Sequence, residues 1–552
     1  MSRPFKYRRL YGFFLVCLTL AVVIPGLSGL PVVDRDEARF AQASIQMAES
    51  NDFLNIRFQD EARNKKPAGA YWAQTAMLKL LGNEAKREIW IHRLPSLLAA
   101  LITVLALYWG GARMIGRDAA FLGTALFAVS MIFVFESHIA KTDALLCAST
   151  TVMLVSLGRL RLGRGQRDVW LFWIALGLSI MIKGPIGPAL AFLSFGSLFL
   201  WEKNLAWARP LINWGAIAVF ILIWLPWGIS IYMATDGAFF IDSLGQDLGQ
   251  KVASGQEGHG APPGAHSAAI WAMLWPACLF LIPGMAYALN AGRHGDQARL
   301  AKTMRLLLCW AVPFWILIEL MPTKLPHYAL PAYPAISLMI GAAITAMARS
   351  SVFKKIRLLS GIVFLLATGV LITALLYVQT EYGSTNQMSK AIVISIGTGA
   401  TAITGAVSLW VNQNKLAFFA ALLSSLAYCI GTYGFILPTL SDFKAAENIK
   451  AELQNFAPEV TDVNIHSPHF REPSLVYHLG GSINVTDSAI DLSNGGLVIL
   501  NTLREDAEAI GHKLTQSART RGKCLETSQR IDGFNYSKGV PIGLVILREG
   551  PC

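Results

Sequence analysis

Thirteen runs of about twenty apolar residues, separated by short polar segments, occupy the first 438 residues. They fall at roughly 11–31, 91–112, 118–135, 143–160, 169–183, 185–202, 211–232, 267–290, 304–321, 328–348, 357–378, 390–411 and 415–438. Each is long enough to cross a bilayer as a helix. The fifth and sixth are joined only by the tight "KGPIGP" at 183–188. The pattern predicts a polytopic α-helical membrane domain over residues 1–438. Beyond it the texture changes. "SDFKAAENIKAELQNF" has helical periodicity behind a Ser441–Asp442 cap candidate, while "GLVIL" (496–500) and "IGLVIL" (542–547) are short buried-strand runs. Residues 439–552 are therefore expected to form a soluble α/β domain.

Charge orients the spans. Arg3, Lys6, Arg8 and Arg9 precede the first run, and Arg159, Arg161, Arg164 and Arg167 follow the fourth. Arg293, Arg299, Lys302 and Arg305 follow the eighth; Arg349, Lys354, Lys355 and Arg357 follow the tenth. The intervening short loops carry mostly one cation each: Lys141, Lys183, Lys251 and Lys324. Positive residues mark the cytoplasmic side. The amino terminus is thus expected inside and, after thirteen crossings, residues 439–552 outside.

One outer segment breaks the rule. The first loop, 32–90, is long and basic, with Arg57, Arg63, Lys65 and Lys66. A long loop can translocate regardless of charge. Cations held outside also suit an anionic partner. Within "KPAGAYWAQTAMLKLLG" (66–82), Pro67 marks a helix start, and the mix of Tyr71, Trp72, Met77 and Leu80 with polar positions suits a helix lying in the interface plane.

Composition agrees. Of 552 residues 54% are hydrophobic and 15% charged, mean hydropathy is +0.46, and a soluble protein carries about 25% charged residues. The net charge of +12 does not point to nucleic acid, because the cations cluster between apolar runs. The first run lacks a small-residue cleavage site and reads as a signal anchor. Cys17, Cys147, Cys278, Cys309 and Cys429 lie in apolar spans as packing residues. Cys524 and Cys552 are the only cysteines of the predicted periplasmic tail, where a disulfide between them is feasible.

The candidate chemistry lies at the outer ends of the spans. "DRDE" (34–37) is the first thing after a span. Asp36 is the principal catalytic candidate, and a helix cap is its plainer reading. Glu37 and Arg39 join it as binding candidates, Arg39 on the same helical face as Asp36. "RNKKP" (63–67) supplies Arg63, Lys65 and Lys66, cations able to stabilise a leaving phosphate; the plainer reading is a basic patch drawn to anionic headgroups. Tyr71 is a further binding candidate. In "ESHIAKTDALL", Asp143 opens the next span and is a second catalytic candidate or its cap. In "GQEGHGAPPGAH" (255–266), His259 is a binding candidate within a Gly/Pro-rich lid. A metal site at Glu257, His259 and His266 is the less favoured reading. "PTKLPHYALPAYP" (322–334) adds Lys324, His327 and Tyr328 as cavity residues.

Together these pieces resemble a known family. The order "DEARFA", "KPAGAYW", "WIHRLPSLLAAL", "AKTD", "KGP", "KLPHYALPAYP" is similar to the GT-C fold, lipid-phosphate-dependent glycosyltransferases, in the branch of lipid A aminoarabinose transferase and the protein-mannosyltransferase-like enzymes. The resemblance covers about residues 10–345. It implies a sugar carried on undecaprenyl phosphate and transferred at the periplasmic face, in the aminoarabinose branch to a lipid A phosphate. Asp36 matches the family's first-loop acid, Arg39 and Lys66 its cations near the donor phosphate, and Tyr328 a cavity residue. Lys65 stands where the aminoarabinose branch commonly has an acid, so another sugar or acceptor stays open. A lipid monophosphate leaving group can be stabilised by cations, so no metal cofactor is expected; a divalent ion is the alternative. Expected partners are the donor lipid, a lipid A acceptor and membrane lipids, around a monomer.

Two other classes compete. A transporter or flippase predicts inverted repeats with broken helices at the midplane; the halves show no such repeat, and the candidate residues gather at one face. A sensor would concentrate its polar chemistry in 439–552, where few signals occur.

Overall fold

A computed structural model describes residues 10–33, 35–82, 85–163, 165–253, 260–294, 298–347, 354–458, 465–485, 490, 492 and 495–552. The chain opens with α1 (Tyr11–Val23), followed by an extramembrane group: α2 (Arg35–Ser50), the hairpin β1 (Arg57–Phe58) and β2 (Glu61–Ala62), and α3 (Gly69–Leu81). Then come α4 (Ile89–Met114), α5 (Arg117–Ala128), α6 (Met131–Ser137), α7 (Asp143–Arg161), α8 (Gln166–Lys183), α9 (Ile186–Glu202) and α10 (Trp214–Ala234). Short α11 (Ala238–Phe240), a π-helical segment (Ile241–Leu248) and α12 (Gly249–Ala253) follow. The helical part continues through α13 (Ala265–Met273), α14 (Leu281–His294), α15 (Ala298–Leu320), α16 (Tyr333–Met347), α17 (Lys354–Tyr382), α18 (Met388–Trp410) and α19 (Asn414–Gly431).

A helix runs over every one of the thirteen predicted segments. By length and apolarity alone, however, eight described helices could cross a membrane, or ten if the bent pairs α5–α6 and α13–α14 each count as one span. The difference has identifiable causes. α1 and α9 are short, and α8 carries Arg167, Asp168 and Lys183 at its ends. Trp214, Leu222, Phe192 and Leu366 are strongly exposed, as expected of side chains meant for lipid rather than water.

The first loop is fastened to the helices by a buried ion pair. Arg93 of α4 grips Glu37 with two hydrogen bonds, of 2.8 and 2.9 Å, and donates also to the carbonyls of Leu27 and Leu30. Glu37 in turn accepts from the Ala140 amide at 2.8 Å. Its side chain is 2% exposed. This corrects the expectation for Glu37: it anchors α2 and the turn before α7 and contacts no cavity. α3 buries Tyr71 and Leu78 while leaving Leu80 and Leu81 exposed, and Tyr71 stacks on Phe40 of α2 at 4.5 Å.

The remaining elements are α20 (Ala445–Phe456), β3 (Ile465–His466), α21 (Pro473–Leu479), β4 (Leu497–Asn501), α22 (Ala507–Thr520), β5 (Lys523–Thr527), β6 (Ile531–Asn535) and β7 (Val540–Pro551). Both predicted strand runs are here, as β4 and the centre of β7, each buried on both faces. β4 pairs with β3 in parallel and with β7 antiparallel, while β5 and β6 share the other edge of the long β7. The Ser441–Asp442 cap instead forms a 3-10 turn ahead of α20. Cys524 and Cys552 are disulfide-bonded, tying β5 to the chain end. The sheet unit rests on the first loop: Gln59 donates to the carbonyls of Gly481 (3.1 Å) and Ile483 (2.6 Å), Arg87 donates to that of Tyr477, and Arg35 pairs with Glu472 at 3.4 Å.

Candidate active site

One cavity of about 810 Å³ gathers most of the candidate residues. That is the size of a small-molecule pocket. Its polar side is built by α2, the 63–67 turn and residues 141–143, with α8's carboxyl end and the segment before α16 beside them. α7 and α8 run antiparallel between two ends of the bundle. Asp143 and Lys183 share the cavity end, while Arg113, Arg161, Arg299 and Lys302 gather at the other.

Asp36 sits in the first turn of α2, where the helix dipole favours an acid. Arg63 approaches it at 3.1 Å and Arg39, one turn on, at 3.6 Å. Arg63 is held in turn: its Nε donates to the Tyr71 hydroxyl at 3.0 Å, and its guanidinium lies over Phe40. Tyr71 is fully buried and outside the cavity lining; contrary to expectation it positions Arg63 and touches no ligand space. Asp36 shows 56% of its side chain, but that surface faces the cavity. Burial pushes its carboxyl up; Arg63, Arg39, Lys66 and Lys141 together outweigh this and hold it well below the usual carboxylate range.

Lys66 reaches 2.5 Å from Asp247, which also accepts from Lys251 at 2.8 Å. Burial pulls the Lys66 ammonium down to about 8, against the attraction of Asp247. Burial raises the Asp247 carboxyl, but the two lysines outweigh it and keep it below its usual range. Lys65 is exposed at the cavity wall.

The second candidate acid, Asp143, accepts from Lys183 at 2.6 Å, with His327 Nε2 at 4.0 Å. The other face of His327 lies 3.7 Å from Glu136, which is itself 3.4 Å from Lys141. Tyr328 lines the cavity beside Lys183.

Lys324 points elsewhere. It donates to the carbonyls of Glu319 and Met321 at the end of α15 and is absent from the cavity wall. The carbonyls left over at a helix end recruited it. Glu257 and His259 lie outside the described residues. His266 is buried edge-on to Trp315, away from the cavity lining. Among the described residues no three His, Cys, Asp or Glu side chains converge in a metal-binding group.

Sequence reasoning passed over Lys141, Lys183, Lys251, Asp247, Glu136 and Arg35 as site residues. A signal for three of them was present. Each is the single cation of a segment expected to face outward, and all three line this cavity. Asp247 had no such signal.

The site therefore offers three carboxylates paired with cations, Asp36, Asp143 and Asp247, and an apolar flank from α8, α9, α10 and α15. Such a site can hold a lipid phosphate and steer an attack on the carbon it carries. Comparisons with known proteins agree. Residues 65–229 match the family described as dolichyl-phosphate-mannose-protein mannosyltransferase. The undecaprenyl phosphate-alpha-4-amino-4-deoxy-L-arabinose arabinosyl transferase of Edwardsiella ictaluri is 25% identical over 446 residues, 77% of each chain. Its namesake 2 in Pseudomonas fluorescens is 25% identical over 78% of this chain and 75% of its own. Among solved structures, ArnT from Cupriavidus metallidurans bound to undecaprenyl phosphate superposes with a TM-score of 0.69 at 17% identity over 97% of both chains. The Archaeoglobus fulgidus oligosaccharyltransferase does so at 0.53 and 12%, over 88% of this chain and 65% of that one. Fold and sequence together make the chain similar to the GT-C membrane glycosyltransferases of the ArnT type.

Proposed function

We propose that this chain moves 4-amino-4-deoxy-L-arabinose from undecaprenyl phosphate to a lipid A phosphate on the periplasmic face of a bacterial inner membrane, a change that lowers the envelope's negative charge and resists cationic peptides such as polymyxin. The amino terminus is cytoplasmic and the sheet domain, residues 439–552, periplasmic. The gathering of Arg113, Arg161, Arg299 and Lys302 at the end opposite the cavity supports that orientation.

The observation that carries the reading is the cationic clamp on Asp36. A carboxylate held this far below its usual range is a poor proton acceptor at neutral pH. It suits an acceptor that is already anionic and needs no base. An acceptor phosphate oxygen forms the new bond to the sugar's anomeric carbon, and the bond from that carbon to the donor phosphate breaks with its electron pair. Undecaprenyl phosphate leaves with the added negative charge, which Lys66 and Lys251 stabilise. Asp36 orients the sugar, its charge suited to an amino substituent. Asp143, fixed by Lys183, lines the same cavity. With these cations in place, the protein works as a monomer without a bound metal, and transfer persists in EDTA.

A second reading, transfer of a hexose to a different acceptor, is favoured by the mannosyltransferase match and by Lys65. One experiment divides them. Purified protein in detergent receives lipid A with either undecaprenyl-phosphate aminoarabinose or a polyprenyl-phosphate hexose, and products are weighed by mass spectrometry. A pentosamine mass added to lipid A is expected; a hexose mass alone would establish the second reading. Turnover without a sealed compartment also separates a transferase from a flippase.

A further inference from the structure

The cavity has two unlike halves. α8, α9, α10 and α15 line one half with apolar side chains, among them Ile180, Trp224, Phe314 and Leu317. That half suits the prenyl tail of a donor. The other half is polar, and part of its wall comes from far along the chain: Tyr536 and Ser537 line the same space as Asp36.

These two residues sit on the turn between β6 and β7, whose strands pair from Ile531 with Leu544 to Asn535 with Val540. The turn is fixed from within. The Asn535 side-chain oxygen accepts from the amides of Ser537 and Lys538, both at 3.1 Å, and Gly539 supplies the positive φ of 68°. It is fixed from without by Glu472. This carboxylate, 3% exposed, accepts from the Ser537 hydroxyl and lies 3.4 Å from Arg35 Nε. The Tyr536 hydroxyl meets Ser474 at 3.3 Å. Arg35 is half-exposed, lines the cavity and immediately precedes Asp36. The sheet domain therefore supplies two wall residues and holds the cation next to the candidate catalytic acid. Lys538, exposed on the same turn, adds positive charge at this edge.

We propose that Tyr536, Ser537 and Arg35 form the acceptor-reading wall of the cavity, and that this wall takes the phosphorylated headgroup of a glycolipid. The inference rests on the transfer reaction proposed above. The donor's tail belongs with the apolar half and its phosphate with Lys66 and Lys251, so the polar wall faces what arrives from outside the membrane. The buried Glu472 carboxylate lies 3.4 Å from Arg35 and keeps this cation at the wall by charge, where a guanidinium suits a phosphate. Arg35, Tyr536 and Ser537 bind; Glu472 is a positioning residue acting through Arg35.

The test separates acceptor from donor in the full-length protein. Steady-state transfer to lipid A is measured beside a binding titration with undecaprenyl phosphate. Tyr536→Ala and Ser537→Ala are expected to raise the KM for lipid A tenfold or more while donor affinity stays within twofold. Tyr536→Phe, keeping the ring, should recover most of the loss. Glu472→Gln should raise the acceptor KM more than it lowers kcat. It should also shrink the wild-type preference for phosphorylated over dephosphorylated lipid A. If Tyr536→Ala does not fold, Ser537→Ala on the exposed turn decides alone. An unchanged acceptor KM, or an equal loss of donor binding, would overturn the assignment. A wild-type protein that binds no undecaprenyl phosphate would overturn the underlying reaction instead.

Discussion

Removing Glu37 should unfasten the site without touching it. The carboxylate accepts two hydrogen bonds from Arg93 and one from the Ala140 amide, in a place closed to water. Glu37→Ala leaves Arg93 buried with the Leu27 and Leu30 carbonyls but without this counter-charge. Breaking one side of a buried pair costs about 3–5 kcal/mol, and the stranded Ala140 amide adds about 1–3 kcal/mol. The destabilisation should therefore be at least about 3 kcal/mol, read as a large fall in the thermal midpoint of the detergent-solubilised protein. The double variant Glu37→Met with Arg93→Met replaces both charges by apolar groups of similar length and should regain much of that loss, since such replacements are often neutral. Because Glu37 only positions α2 and the turn before Asp143, the folded double variant should retain transfer. Wild-type stability in Glu37→Ala, or a stable but inactive double variant, would refute the anchoring argument and return Glu37 to substrate binding.

Lys66→Ala should abolish transfer while the protein still inserts and folds, a loss of about 2.7–4 kcal/mol in the barrier as for other single oriented donors; near-normal turnover would remove Lys66 from the reaction. With the Lys66 ammonium pulled down to about 8, kcat/KM for the donor should fall as pH rises through about 8, because the free enzyme loses that proton. Lys66→Arg should move the fall to higher pH, and an unchanged profile would contradict the assignment. Thiol labelling of the non-reduced protein should leave Cys524 and Cys552 unmodified, and labelling of either without reductant would contradict the bond.

Helix existence and placement were readable because lipid demands long apolar runs and the chain supplies them at regular intervals. The short α1 and the breaks at 129–130 and 274–276 were not, since they depend on packing and on where the backbone bends. The sequence pattern put Asp36 and Arg39 on one face and Lys66 nearby, and these three do share the cavity. It misread Glu37 and Tyr71, whose neighbours along the chain look like site residues but whose side chains turn inward to Arg93 and Arg63. It misread Lys324 because helix-end carbonyls compete for an ammonium as well as a ligand does. Asp247 and the pair Tyr536–Ser537 were invisible for a different reason. They reach the cavity from residues hundreds of positions away, and no local period or motif announces a long-range contact.

The central claim is that the cavity around Asp36 is where sugar changes hands, and Asp36→Asn tests it most directly. Asparagine keeps nearly the same shape at this first-turn position, but removes the charge that Arg63 and Arg39 hold in place. The account predicts transfer from undecaprenyl-phosphate sugar slowed at least about tenfold, roughly 1.4 kcal/mol of transition-state stabilisation, at wild-type abundance. An Asp36→Asn protein as active as wild type would contradict it.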